Sequence, residues 1–169
     1  RIEHVETLHP TDLHRFKDLG VIASMQPLHA PQPHRGQYLF WMECVGEKRY
    51  AWSFPWQTLR EAGAFLTFSS DYPVVTQNPF MGIDAGVNRQ VWKPKLKNEA
   101  QTLEQLLDGY TKGGAYLEFA EDKKGQLKEG MLADLVVLNG DIFKTPPADI
   151  KEMKVDLTIM DGDIVYETD

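Results

Sequence analysis

Three short apolar runs, each emptying into groups able to do chemistry, constrain the fold of this chain more than any other feature. Residues 1–6 are β-prone and pass through His4 into a polar loop. Val21-Ile22-Ala23-Ser24-Met25-Gln26 is continuous and stops at Pro27. Ala64-Phe65-Leu66-Thr67-Phe68 runs into Ser69-Ser70-Asp71. Strands buried on both faces read as unbroken apolar runs, which is the pattern of a parallel sheet covered by helices. The stretches between them supply those helices. Pro10 and Thr11 open a helical pattern that Gly20 stops, and residues 56–62 form another that ends at Gly63. Residues 83–91 read as helical, and Thr102 is placed to cap a helix through Tyr110 with Leu103, Leu106 and Leu107 on one face. The prolines at 27, 31 and 33, with His29 and His34 among them, predict an extended loop, as do Pro73 and Pro79 for residues 72–82. The aromatic-rich stretches 38–47 and 50–56 take no assignment.

After Gly125 the texture changes. Residues 135–138 and 157–160 read as strands, and Asp161-Gly162 is a two-residue hairpin signal leading into Asp163-Ile164-Val165-Tyr166. The expected organisation is an α/β body followed by a small β unit.

Length and charge narrow the function. With 42% apolar residues, including four Trp, eight Phe and six Tyr, the 169-residue chain can bury a real core. A formal net charge of −7 argues against nucleic acid or an anionic membrane as partner. No apolar run approaches spanning length, so a soluble protein is expected. The single cysteine, Cys44, excludes an intramolecular disulfide and a thiolate cluster. It fits a reducing compartment, and a cytoplasmic location is favoured. The chain opens on Arg1 without an initiator Met, in what reads as the inside of a strand, so it is expected to be part of a longer protein.

Parallel α/β sheets and barrels place functional groups where strands end at their carboxyl edges. His4, His29 and Asp71 all follow such ends. Neutral imidazole and carboxylate are good ligands for zinc-like metals, and a carboxylate beside an activated water can take its proton. Each has an ordinary alternative: a hydrogen-bonded core histidine for His4, turn chemistry for Asp71, a solvated loop residue for His29. His34 shares the loop alternative, His9 and His14 read as surface residues, and Trp41, Trp52 and Trp56 as core or pocket. Spacing alone leaves the function open.

Local sequence decides between them. Arg1-Ile2-Glu3-His4, then Leu19 to Pro27 with His29, then Ala62-Gly63-Ala64 to Ser70-Asp71-Tyr72-Pro73, resemble in order the metal-dependent amidohydrolases of the YtcJ-like branch (amidohydrolase family 3, related to N-substituted formamide deformylases). Gly125 to Leu138, with Ala133-Asp134, and the Asp161-Gly162 hairpin resemble the strands that close many members of the superfamily. The resemblance implies the carboxy-terminal part of a (β/α)₈ TIM barrel, about strands 6–8 with their helices, over residues 1–122, and part of a composite β-sandwich over 123–169. It implies a divalent metal, zinc foremost, with His4 as a sixth-strand ligand and Asp71 as the eighth-strand ligand and general base. His29 is placed at the mouth as a substrate contact, with Arg89 a further candidate there. The implied reaction is hydrolysis of a non-peptide C–N bond in a small amide, formamide or cyclic amide. The remaining ligands of the family have no counterpart here and would lie upstream, so weak or no metal binding and no activity are expected of this chain alone. A cut barrel would expose strand edges, so a homo-oligomer is expected. A non-catalytic binding module derived from a hydrolase is the alternative, and a deaminase or cyclic-amide type a third.

Overall fold

The computed structural model describes residues 1–32 and 37–168, so the expectations on Pro33 and His34 lie outside the described residues. The first 70 residues lay down a three-stranded parallel sheet in the order β1 (Ile2–Glu3), β2 (Ala23–Met25), β3 (Leu66–Phe68). Ile2 stands opposite Ala23 and Ala23 opposite Leu66, so the three strands end nearly level. Both β2 and β3 are wholly buried, the condition their unbroken apolar runs anticipate.

The helices follow the expected order with local differences. The helix expected over 10–19 is divided. Pro10–Asp12 is a 3₁₀ turn capped by His9, and only α1 (Arg15–Asp18) is α-helical, with Phe16 its buried residue. The segment Pro27–His29, expected as extended loop, is instead a 3₁₀ turn with Pro27 at its first position, where the fixed φ of proline suits a helical start and its missing N–H leaves nothing unpaired. The unassigned aromatic stretch forms α2 (Gln37–Val45) and a 3₁₀ segment over Glu47–Trp52. Next comes α3 (Trp56–Glu61). Helix α4 spans Pro79–Val87, beginning inside the expected loop and ending before Val91. Asn78 explains the early start: its side chain accepts from the Phe80 N–H at 3.0 Å with Pro79 at the first helical position. Helix α5 (Leu103–Tyr110) has the expected Thr102 cap, completed as a capping box by Gln105. A further short helix, α6 (Lys112–Leu117), follows.

The carboxy-terminal sheet is antiparallel, β4 (Leu135–Leu138), β5 (Val155–Met160), β6 (Asp163–Glu167), with the hairpin where Asp161-Gly162 predicts it. Gly162 adopts φ 89°, the left-handed conformation that such a turn needs. Between β4 and β5 the 3₁₀ segment Pro147–Glu152 packs on α4. Its Ile150, with Ile142 and Met153, joins the same buried cluster as Met25, Trp56 and Leu106. One core therefore serves both sheets. Val136, Val137, Ile164 and Val165, by contrast, stand exposed on the second sheet. Among the described residues, no helix is long and apolar enough to cross a membrane.

Candidate functional site

His4, His29 and Asp71 meet at the carboxyl edge of the parallel sheet. One ligand-type atom of each lies within 4.8 Å of the others. Residues 25 and 67 positions apart in sequence converge because β1, β2 and β3 run parallel and end in step. The His4 N–H continues the ladder, donating to the Ser24 carbonyl at 2.7 Å. The chain then turns sharply, with positive φ at His4 (70°) and Val5 (46°), and again at Asp71 (58°). A left-handed backbone disfavours residues carrying a Cβ, a β-branched valine most of all, at a cost of order 1–3 kcal/mol each. His4, Asp71 and the neighbouring Val5 carry this strain, as do Phe54, Lys95, Phe119 and Asp161 elsewhere in the chain.

A polar brace fixes the strand ends. Gln26, buried at the end of β2, accepts from His4 Nδ1 at 2.9 Å through Oε1 and donates to Ser69 Oγ at 2.9 Å through Nε2. With Gln26 Oε1 accepting, His4 Nδ1 carries the hydrogen and Nε2 presents a lone pair, the arrangement a metal-binding imidazole needs.

His29 is more deeply placed than a solvated loop residue: its side chain is 11% exposed. Its ring stacks on that of His4 with centroids 5.6 Å apart and planes at 22°. Nε2 lies 3.9 Å from Asp71 Oδ2, and Nδ1 lies 3.7 Å from Glu6 Oε1. Nε2 is buried and makes no hydrogen bond. An orphaned polar atom in such a place calls for a partner. Two donors about 2.0–2.2 Å from a shared tetrahedral zinc stand about 3.3–3.6 Å apart. The separations here run from 3.9 Å for His29 and Asp71 to at most 4.8 Å, so the donor set fits a divalent cation once the side chains move inward. Glu6 completes the surroundings. His29 holds its carboxyl below the usual carboxylate range, against burial, which acts in the opposite direction.

Arg89 lies elsewhere, and the expectation that it lines the mouth of the site is corrected. Its guanidinium is buried between Trp56 and Trp92, 4.3 and 4.8 Å from the ring centroids, and donates to the Phe54 and Ser53 carbonyls at 2.5 and 3.2 Å. Burial pushes it down to about 9, so it remains cationic at neutral pH. Trp56 is core, fully buried, while Trp41 packs against Phe54 and Trp92. His9 and His14 are exposed, as expected. Two residues of the site, Gln26 and Glu6, have no role in the sequence reading. Gln26 has a legible signal, a buried polar residue at the end of an apolar strand. Glu6 has none, because its direction depends on the two left-handed residues before it.

A profile of the amidohydrolase family matches residues 1–166. The chain belongs to the amidohydrolase family. It is 27% identical over 172 residues to the amidohydrolase-class protein YtcJ of Bacillus subtilis, covering 99% of this chain and 32% of that protein. It is 26% identical over 174 residues to N-substituted formamide deformylase of Arthrobacter pascens, covering 99% and 31%. Among solved structures, an uncharacterized metal-dependent hydrolase of Pyrococcus furiosus aligns with TM-score 0.60 and 34% identity over 78% of this chain and 26% of that one. The branch resemblance read from the sequence is thereby borne out. The chain spans about a third of the length of these two curated relatives.

Proposed function

We propose that the protein to which this chain belongs is a metal-dependent hydrolase of a non-peptide C–N bond in a small amide, formamide or cyclic amide. In this reading residues 1–122 supply about strands 6–8 of a (β/α)₈ barrel, and residues 123–169 supply part of a composite β-sandwich. The convergence of His4, His29 and Asp71 at one sheet edge carries the reading. His4, through Nε2, and Asp71 would hold a divalent cation, zinc by the nitrogen and oxygen character of the donors. Such a cation, when bound, polarises a carbonyl and acidifies water.

The chain's own groups do the rest. Asp71 takes the proton of the attacking water on a carboxylate oxygen and returns it to the departing nitrogen, so its proton count is restored each cycle. Gln26 keeps His4 in the tautomer that leaves Nε2 free. The wall formed by His29 limits water at the reacting centre and contacts the substrate. Two donors bind a cation more weakly than a full set, so this chain by itself is expected to bind metal weakly and to turn over nothing. The relatives' names support an amide-type substrate, the Arthrobacter deformylase most directly.

The test is Asp71→Asn in the full-length enzyme against a panel of amides, formamides and cyclic imides. Turnover is expected to fall by roughly 10²–10⁴-fold, the share general acid–base catalysis supplies, with the fold kept. Near-normal turnover removes Asp71 from the mechanism.

A further inference from the structure

The Glu6 carboxylate stands on the far side of His29 from Asp71. The imidazole thus lies between two carboxylates, 3.7 Å from one and 3.9 Å from the other, with its ring plane fixed by stacking on His4. The two faces of this arrangement differ. On the outer face, Glu6 Oε1 lies 3.7 Å from His29 Nδ1. Backbone pairing also holds it, since the Phe54 N–H donates to the Glu6 carbonyl at 2.9 Å and the Leu8 N–H to the Trp52 carbonyl at 2.8 Å. On the inner face, His29 Nε2 is buried and has no hydrogen bond, although an acceptor carboxylate lies close by. A ring protonated at Nε2 would gain by closing that gap to Asp71. A ring protonated at Nδ1 would instead turn its proton to Glu6 and leave a bare lone pair facing Asp71 Oδ2. Two facing electron-rich atoms repel unless a cation lies between them.

We propose that Glu6 is a positioning residue of the site: its carboxylate holds His29 with the proton on Nδ1, so that Nε2 joins His4 and Asp71 as a third donor to the divalent cation. The last clause rests on the metal-centre reading above, whereas the Glu6–His29 pairing does not. A ligating histidine commonly gives its other N–H to a carboxylate, which fixes the tautomer and raises the basicity of the ligating nitrogen. Gln26 does this for His4 through an amide oxygen at 2.9 Å, and Glu6, 3.7 Å from His29 Nδ1, would do it for His29 through a charged one on closing that distance.

Long-range ¹H–¹⁵N correlation spectra of the metal-free chain, recorded where histidines are neutral, read the tautomer directly. His29 is expected as the Nδ1–H form. Glu6→Ala should return it to the Nε2–H form that free imidazole side chains prefer, while Glu6→Gln, which keeps an acceptor oxygen, should retain Nδ1–H. The Glu6 side chain is 42% exposed, so its truncation opens no core cavity. An Nε2–H His29 in the unaltered chain overturns the pairing whatever the variants do, and so does a tautomer indifferent to Glu6→Ala. Zinc titration of the full-length protein by equilibrium dialysis tests the donor clause. Glu6→Ala should weaken zinc by roughly 10–100-fold, and His29→Ala by at least as much. Unchanged zinc affinity in His29→Ala overturns the third-donor role. No zinc uptake by the full-length protein, with the tautomer result as expected, overturns the metal-centre reading and leaves the pairing standing.

Discussion

Replacing Arg89 by Met tests whether a buried cation organises the ground on which the site stands. The guanidinium donates to two carbonyls, Ser53 and Phe54, and lies between two indole rings. Met fills much of the volume but donates nothing. The Ser53 carbonyl would lose its partner, at about 1–3 kcal/mol, the Phe54 carbonyl would keep only the Trp56 N–H, and the cation–π contacts add about 0.5–2 kcal/mol more. Against this, the variant no longer buries a charge, the cost that shows in the fall of Arg89 to about 9. The balance is a loss of about 2–4 kcal/mol. For a chain of this size that lowers the melting temperature by roughly 5–15 °C. Urea unfolding followed by tryptophan fluorescence is the assay, since Trp56 and Trp92 report on the perturbed place itself. Arg89→Lys should fall between the two, because a point charge on a flexible stem replaces a planar fork that serves two acceptors. Residues 52–54 pair with residues 6–8, so amide exchange at Leu8 and Phe54 should quicken in Arg89→Met. Stability within about 0.5 kcal/mol of the parent, with unchanged exchange, would refute the clamp.

Three further outcomes follow from packing and charge. A methyl at Gly109 on α5 would stand 2.5 Å from the Phe68 ring, whereas at Gly114 on α6 it would meet nothing within 4 Å. Gly109→Ala should therefore destabilise by about 1–3 kcal/mol, and Gly114→Ala should stabilise by about 0.5–1 kcal/mol; thermal melts of the pair check both. Glu61, hydrogen-bonded to Lys97 and Gln57, sits below the ordinary carboxylate value of 4.5. A depressed folded value means its contribution is present above pH 4.5 and lost as pH falls through the folded value, so denaturation curves of Glu61→Gln and parent should differ at neutral pH and converge as the pH is lowered beneath that folded value. The exposed Val136, Val137, Ile164 and Val165 predict self-association in sedimentation velocity, and a monodisperse, cooperatively melting monomer would count against it.

The sequence was legible where burial sets the pattern. The strands around Ala23–Met25 and Leu66–Phe68 are buried on both sides and read as plain apolar runs, and with them came the parallel sheet and the placing of His4 and Asp71 at its edge. The Thr102 cap was legible because capping is local chemistry between neighbours. Helix α4 was misread because Gly82 and Gly86 weaken its propensity. They are required by close contacts with Tyr110 and Leu106, which no local pattern reveals. His29 was read as a loop residue for the same reason: its depth comes from the His4 ring and from carboxylates distant in the chain. Arg89 was misjudged in the opposite sense, since a cation between two indoles looks no different in sequence from one at a pocket.

The level ending of β1, β2 and β3 has a consequence for how such a site can vary. Successive residues of a strand point to opposite faces, so adding or deleting one residue in any of the three would turn its terminal group away from the other two. Substitutions in the joining helices leave that alignment untouched. Variation in this region should thus accumulate as length changes in the helical connections and as exchanges of side chains, while the count of residues from each strand to its functional group stays constant.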